Sequence, residues 1–255
     1  MEVSTELHAS NVSIDQILCQ TYWENICPAL TINNDLFQKE TLERKDQCCS
    51  KNSCNNVRTR LIQEGFAALA PEKLHFSVDV AKLATGIHQL QSYGWPATAI
   101  CIFDEVWAMG YEASQLMKLA TGNTQTIDTL SFFVDPQINT GFSAHRDRQP
   151  EDWLARGLPK EISSTFRENG TARYSTMWVA LTDATPDNSC LHYIPATADP
   201  GYYGGDACCD DNGSNSDPVR RVFTRPGGLQ SVRAAPVKAG GAAFHTHRGT
   251  HILLR

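Results

Sequence analysis

The stretch RYSTMWVALTDATPDNSCLHYIPATADPGY, residues 173–202, decides how this chain reads. Trp178, Val179, Ala180 and Leu181 make a short β-rich run. Residues 183–188 (DATPDN) carry turn chemistry, and residues 190–195 form a second apolar run. Two short β-rich runs bracketing a Pro-Asp-Asn turn predict strand, turn and return strand, a β-hairpin in the simplest reading.

Outward from this block the same grammar continues. Short β-rich runs at 129–134, 176–181, 190–194, 228–232 and 242–245 are separated by Asp135-Pro136, Asp199-Pro200-Gly201 and Pro226-Gly227-Gly228. Many short strands without intervening helical periodicity predict a sandwich, jelly roll or barrel. Upstream the pattern is helical. Val80, Leu83, Ile87 and Leu90 recur at helical spacing, as do Leu116 and Leu119. The expected helices cover 78–93 and 110–121, and a helix from Val57 ends at Gly65 before a short strand. A short helix over 13–23 is expected with Ser13 as its cap, while QKETLERKDQCCSKNSCNN, residues 38–56, reads as a polar linker. The fold class is therefore α+β or mainly β. Residues 1–56 form a polar, partly irregular extension and 57–255 the main domain, with residues 203–220 a polar surface insertion.

Composition bounds the function. The 255 residues hold 22 Lys plus Arg against 28 Asp plus Glu, a formal net charge of −6. That excludes nucleic-acid binding through a broad basic face. No run approaches the roughly 18 apolar residues of a membrane span. The N-terminus lacks the basic and apolar regions of a secretory signal, so a cytoplasmic location is expected. The nine cysteines contain no CxxC pair. Reduced thiols are the plain expectation, and a zinc site joining Cys48, Cys49 and Cys54 to Cys208 and Cys209 lacks the usual paired spacing. No pattern fixes an oligomeric state.

Two further segments can carry chemistry. GFSAHRDRQP, residues 141–150, holds His145 and Asp147. On an extended backbone, positions i and i+2 project to one side, so an imidazole and a carboxylate can converge on one ion. Such a pair also arises often by chance as a surface contact. AGGAAFHTHRGTH, residues 239–251, holds His245, His247 and His251. One of them can complete a 2-His-1-carboxylate triad, which suits Fe(II). The three together can also form a zinc or nickel patch.

In this order, the HxD pair, the block WVALTDATPDNSCLHYIPATADPGY and the C-terminal histidines resemble the phytanoyl-CoA dioxygenase (PhyH-like) family of Fe(II)/2-oxoglutarate oxygenases. The resemblance covers roughly residues 60–251. It implies a double-stranded β-helix (jelly roll, cupin-like) with flanking N-terminal helices. It implies Fe(II) as metal, with 2-oxoglutarate and O2 as cosubstrates, and hydroxylation of a small-molecule or lipid-like substrate. Carried over, His145 and Asp147 are the first two ligands. Placing Gly240-Gly241 on the family's Gly-Asp turn makes His251 the third, with His247 the runner-up. Trp178 falls beside the 2-oxoglutarate pocket.

The sequence departs from the family in three places. Pro195-Ala196-Thr197-Ala198 replaces Pro-Gly-Ser-His, and Leu253 stands where a small hydroxyl residue is usual. Arg255 is the candidate for the family's carboxylate-binding arginine, but it follows His251 by only four residues, closer than the family spacing. A register with His245 as ligand restores that spacing but misplaces the Gly-Gly turn. The reading is a domain lacking its last strand, with a non-catalytic metal binder as the alternative.

Overall fold

In the computed structural model, the described residues are 8–43, 48–124, 126, 128–135, 141–147, 166–188, 190–203, 222 and 226–253. Arg255, Cys208, Cys209 and nearly all of the expected 203–220 insertion lie outside them. The chain divides into two compact units. One comprises residues 1–48, 75–116 and 125–133, and the other 49–74, 117–124 and 134–255.

The first unit is helical. Ser13 caps α1 (Ile14–Ile17) as expected, and Gln16 returns a bond to the Ser13 backbone to close a capping box. α2 (Gln20–Ile26) buries Tyr22, Trp23 and Ile26. α3 (Asp35–Glu43) follows, so part of the segment read as linker is helix. α5 (Val80–Ser92) buries the stripe Leu83, Ile87 and Leu90. α6 (Asp104–Thr121) begins six residues before the expected start at Gly110. Its first-turn carboxylates explain this. Asp104 accepts from the Asn34 amide and Gln38 Nε2, and Glu105 accepts from the amide and hydroxyl of Thr31. Negative charge at a helix N-terminus is stabilised by the exposed amides and dipole there.

The second unit holds the strands. α4 (Lys51–Glu64) takes in residues 51–56 of the expected linker. Its buried positions are Cys54, Val57 and Leu61, a helical stripe that opens with a cysteine. Counting that cysteine as polar hides the stripe, because a buried thiol behaves as a small hydrophobe. Ser50 caps α4, and Gly65 ends it with φ +80°, the left-handed conformation that glycine adopts without strain. A Cβ there would also lie 2.7 Å from the Tyr202 ring.

β1 (Phe66–Leu69), β3 (Ser175–Val179) and β6 (Ala242–Thr246) form a three-stranded sheet in the order β1-β6-β3. β2 (Phe142–His145), β4 (Leu191–Tyr193), β5 (Arg233–Ala235) and β7 (His251–Leu253) form a second, ordered β2-β7-β4-β5. Every pairing is antiparallel. Phe66, Ala180, Leu191, Tyr193, Ala235, Val237 and Ala243 share one core cluster, so residues from both sheets pack together. The Phe66 and Tyr193 rings stack at 4.7 Å across it.

Three expectations are corrected. The strands on either side of the 183–188 turn do not form a hairpin. β3 pairs with β6, whereas β4 pairs with β5 and β7. The turn carries the chain from one sheet to the other, held by Asn188, whose side chain accepts from the Thr185 amide and donates to Asp183 O. Among the described residues of 129–134 there is no strand, and Leu130 and Phe132 remain exposed. The expected strand at 228–232 is a 3-10 turn (Leu229–Ser231) entered through Gly227 at φ +80°. The strand starts only at Arg233.

Candidate metal centre

His145 ends β2 and His251 opens β7, and the two residues are direct cross-strand partners. Partners in an antiparallel pair sit within about 5.5 Å at Cβ, which brings the two imidazoles to one place. Their ring centres are 4.3 Å apart. Asp147 lies in the bend just after β2. Its Oδ1 is 3.9 Å from His145 Nε2 and 3.5 Å from His251 Nε2. Among the described residues, His145, Asp147 and His251 are the group whose donor atoms lie close enough to hold one ion, all within 4.8 Å of one another. His145 is half-exposed and His251 buried, so the group opens to solvent on the His145 side.

The hydrogen bonds prepare the donor atoms. His145 Nδ1 is 2.8 Å from Ser143 O, and His251 Nδ1 is 3.0 Å from Gly249 O. A carbonyl only accepts, so each Nδ1 carries the proton and each Nε2 presents a lone pair in the neutral ring. This arrangement, with the outer nitrogen tied to the backbone, is what metal-ligating histidines show. A set of two imidazoles and one carboxylate fits a divalent first-row ion, iron included.

The other oxygen of Asp147 is held from the opposite sheet. Thr176 Oγ1 donates to Oδ2 at 2.6 Å, and His245 Nε2 donates to it at 3.1 Å. Thr176 and His245 are themselves cross-strand partners on β3 and β6. His247, in the turn after β6, is buried with Nδ1 on Tyr174 O at 2.9 Å and lies outside the close group. Trp178 is partly buried against the shared core cluster. As Thr176 and Trp178 alternate along β3, both face the side from which Asp147 is held. Cys48, Cys49 and Cys54 are buried.

Several contributors are invisible in the sequence. Asp199 forms a buried ion pair with Arg146 and accepts from Thr250 Oγ1 at 2.7 Å. It thereby ties the residue after His145 to the residue before His251. A closely paired Arg and Asp far apart in sequence leave no local signal. Only the position of Arg146, between two candidate ligands, hints at a role.

The titrations follow from burial and neighbours. Burial pushes the His251 imidazole down to about 3, and His245 beside it acts in the same direction. Burial alone would raise Asp147. The hydrogen bond from His245, the two nearby imidazoles and the bond from Thr176 outweigh it and hold the carboxyl well below the usual range. Both shifts have one sign for stability. The unfolded chain takes up the His251 proton first, near pH ~6.5, so this contribution is complete above that value and is lost as pH falls toward 3. The Asp147 contribution is lost at lower pH, below about 4. The metal-free protein is therefore expected to have a lower urea midpoint at about pH 5 than at about pH 7.5, with His251→Gln flattening that difference.

No family model matches the chain, and no curated protein matches it. Among solved structures it is similar to the epimerase SnoN in complex with Fe3+, alpha ketoglutarate and nogalamycin RO, at 16% identity and TM-score 0.48, over 80% of this chain and 78% of that one. It is similar to the non-heme alpha ketoglutarate dependent carbocyclase SnoK from nogalamycin biosynthesis, at 16% identity and TM-score 0.46, over 77% and 76%. It is likewise similar to AviO1 from Streptomyces viridochromogenes, at 19% identity and TM-score 0.46, over 78% and 86%. Among the described residues, no helix is long and apolar enough to cross a membrane.

Proposed function

We propose that the second unit is a double-stranded β-helix of the PhyH-like kind, and that the protein is an Fe(II)- and 2-oxoglutarate-dependent oxygenase hydroxylating a small molecule. The observation that carries this reading is the convergence of His145 Nε2, His251 Nε2 and Asp147 Oδ1. Both histidines have their outer nitrogens committed to backbone carbonyls. The chain also moves repeatedly between two antiparallel sheets, as a jelly roll requires.

In this reading His145 and His251 supply neutral lone pairs and Asp147 the single negative charge. Ferrous iron bound by these three residues would supply the redox and O2 chemistry that side chains lack. The sheets fix the three donors from two directions. The exposed side of His145 is the side by which cosubstrate and substrate approach. Trp178, on the same side of β3 as Thr176, lines the cosubstrate space, and Arg255 is the candidate partner for its distal carboxylate.

The test is an anaerobic titration of the Fe(II)-loaded protein with 2-oxoglutarate, followed by exposure to O2 and assay of succinate. A saturable visible charge-transfer band together with succinate is the expected result. Iron binding with neither band nor succinate would make the protein a metal binder without turnover. Failure to bind iron would overturn the triad.

A further inference from the structure

We infer that His245 is a positioning residue. It fixes the rotation of the Asp147 carboxylate so that Oδ1, and not Oδ2, faces the two ligand histidines. The inference rests on the metal centre proposed above and assigns a role to the one site-facing histidine outside the triad.

His245 and His251 are six residues apart, yet they belong to different sheets. Between them the chain turns at residues 246–249, closed by the Gly249 amide on Thr246 O at 2.9 Å. The His245 ring therefore reaches the site from the opposite sheet, with its centre 4.1 Å from that of His251. Its Nε2 meets Asp147 Oδ2, whereas Oδ1 is the oxygen 3.5 Å from His251 Nε2 and 3.9 Å from His145 Nε2. Thr176 donates to the same oxygen. With both donors on Oδ2, its lone pairs are engaged, and rotation of the carboxylate would break two bonds.

His245 is itself held in place. The Tyr193 hydroxyl is 3.0 Å from its Nδ1, and the Tyr193 ring is buried and stacked on Phe66. Once Nε2–H is given to the carboxylate, Nδ1 of the neutral ring accepts from Tyr193. The line Tyr193–His245–Asp147 thus sets a tautomer and an orientation. Groups of this kind around metal ligands change metal affinity roughly 10- to 100-fold when removed.

The experiment measures Co(II) and Fe(II) dissociation constants and the visible Co(II) spectrum for the wild type, His245→Leu, His245→Gln and Thr176→Val, with circular dichroism confirming the fold. His245→Leu is expected to weaken binding about 10- to 100-fold and to alter the Co(II) bands. His245→Gln, whose amide places a donor near the Nε2 position, is expected to restore both. A folded His245→Leu with unchanged affinity and spectrum overturns the inference and leaves the triad intact. A glutamine variant as weak as the leucine variant overturns it too, since packing rather than the hydrogen bond would then matter. If His245→Leu fails to fold, Thr176→Val decides. Weakened binding with altered bands supports clamping of Oδ2, and wild-type behaviour overturns it. A wild type that binds neither metal overturns the centre itself and this role with it.

Discussion

Asp147→Ala is expected to abolish stoichiometric Fe(II) binding. Asp147 is the only anion in the close group, so its loss leaves two neutral imidazoles facing a divalent ion without charge compensation. The same change strips His245 Nε2 and Thr176 Oγ1 of their shared acceptor. An unsatisfied buried donor costs about 1–3 kcal/mol, so some loss of stability accompanies the loss of metal. Asp147→Asn separates the two effects. Its amide oxygen can still accept from Thr176, while the charge is gone. Iron analysis after anaerobic loading is expected to show no bound ion in either variant, with the asparagine protein nearer to wild-type stability. Unchanged iron content in both would place the metal elsewhere.

Phe244→Ala is expected to give a large loss of stability without touching a donor atom. Phe244 is fully buried on β6, the central strand of its sheet, opposite Ala67 on β1 and Met177 on β3. Its neighbours Ala243 and His245 face the shared core and the site, so Phe244 points to the other side of the sheet. All five residues of β6 are buried, which means that both faces of the strand are covered. Truncating a buried phenylalanine costs about 3–5 kcal/mol through lost transfer energy and the cavity left behind. Small neighbours such as Ala67 cannot fill that space. Urea unfolding followed by circular dichroism measures the effect. A loss under about 1 kcal/mol would mean that the outer face collapses onto the cavity.

Much of the helical part was legible. Ser13, Gly65 and the stripe of α5 act through contacts within a few residues, and each stands where the sequence indicates. α3 and α4 were not legible as helices. Their polar composition resembles a linker, and the apolar stripe of α4 is short and opens with Cys54. For the site, the residue types and the His145/Asp147 spacing were plain. Their convergence owes less to strand alternation than expected, because β2 ends at His145 and Asp147 lies in the following bend. What brings the group together is the pairing of His145 with His251 across β2 and β7.

By itself the sequence determined local features such as the Ser13 cap and the Gly65 helix end, a β-rich C-terminal part, and a small set of candidate metal donors. All of these depend on side-chain chemistry and short-range backbone preference. Only the tertiary structure decided that the strands flanking residues 183–188 belong to separate sheets. It alone separated the three C-terminal histidines: His251 beside Asp147 Oδ1, His245 on Oδ2 and His247 on Tyr174. The physical reason is that strand partners are chosen by burial and backbone hydrogen bonding across long loops. A four-residue turn that passes the chain from one sheet to the other changes which way each histidine faces, and the spacing of the letters does not record it.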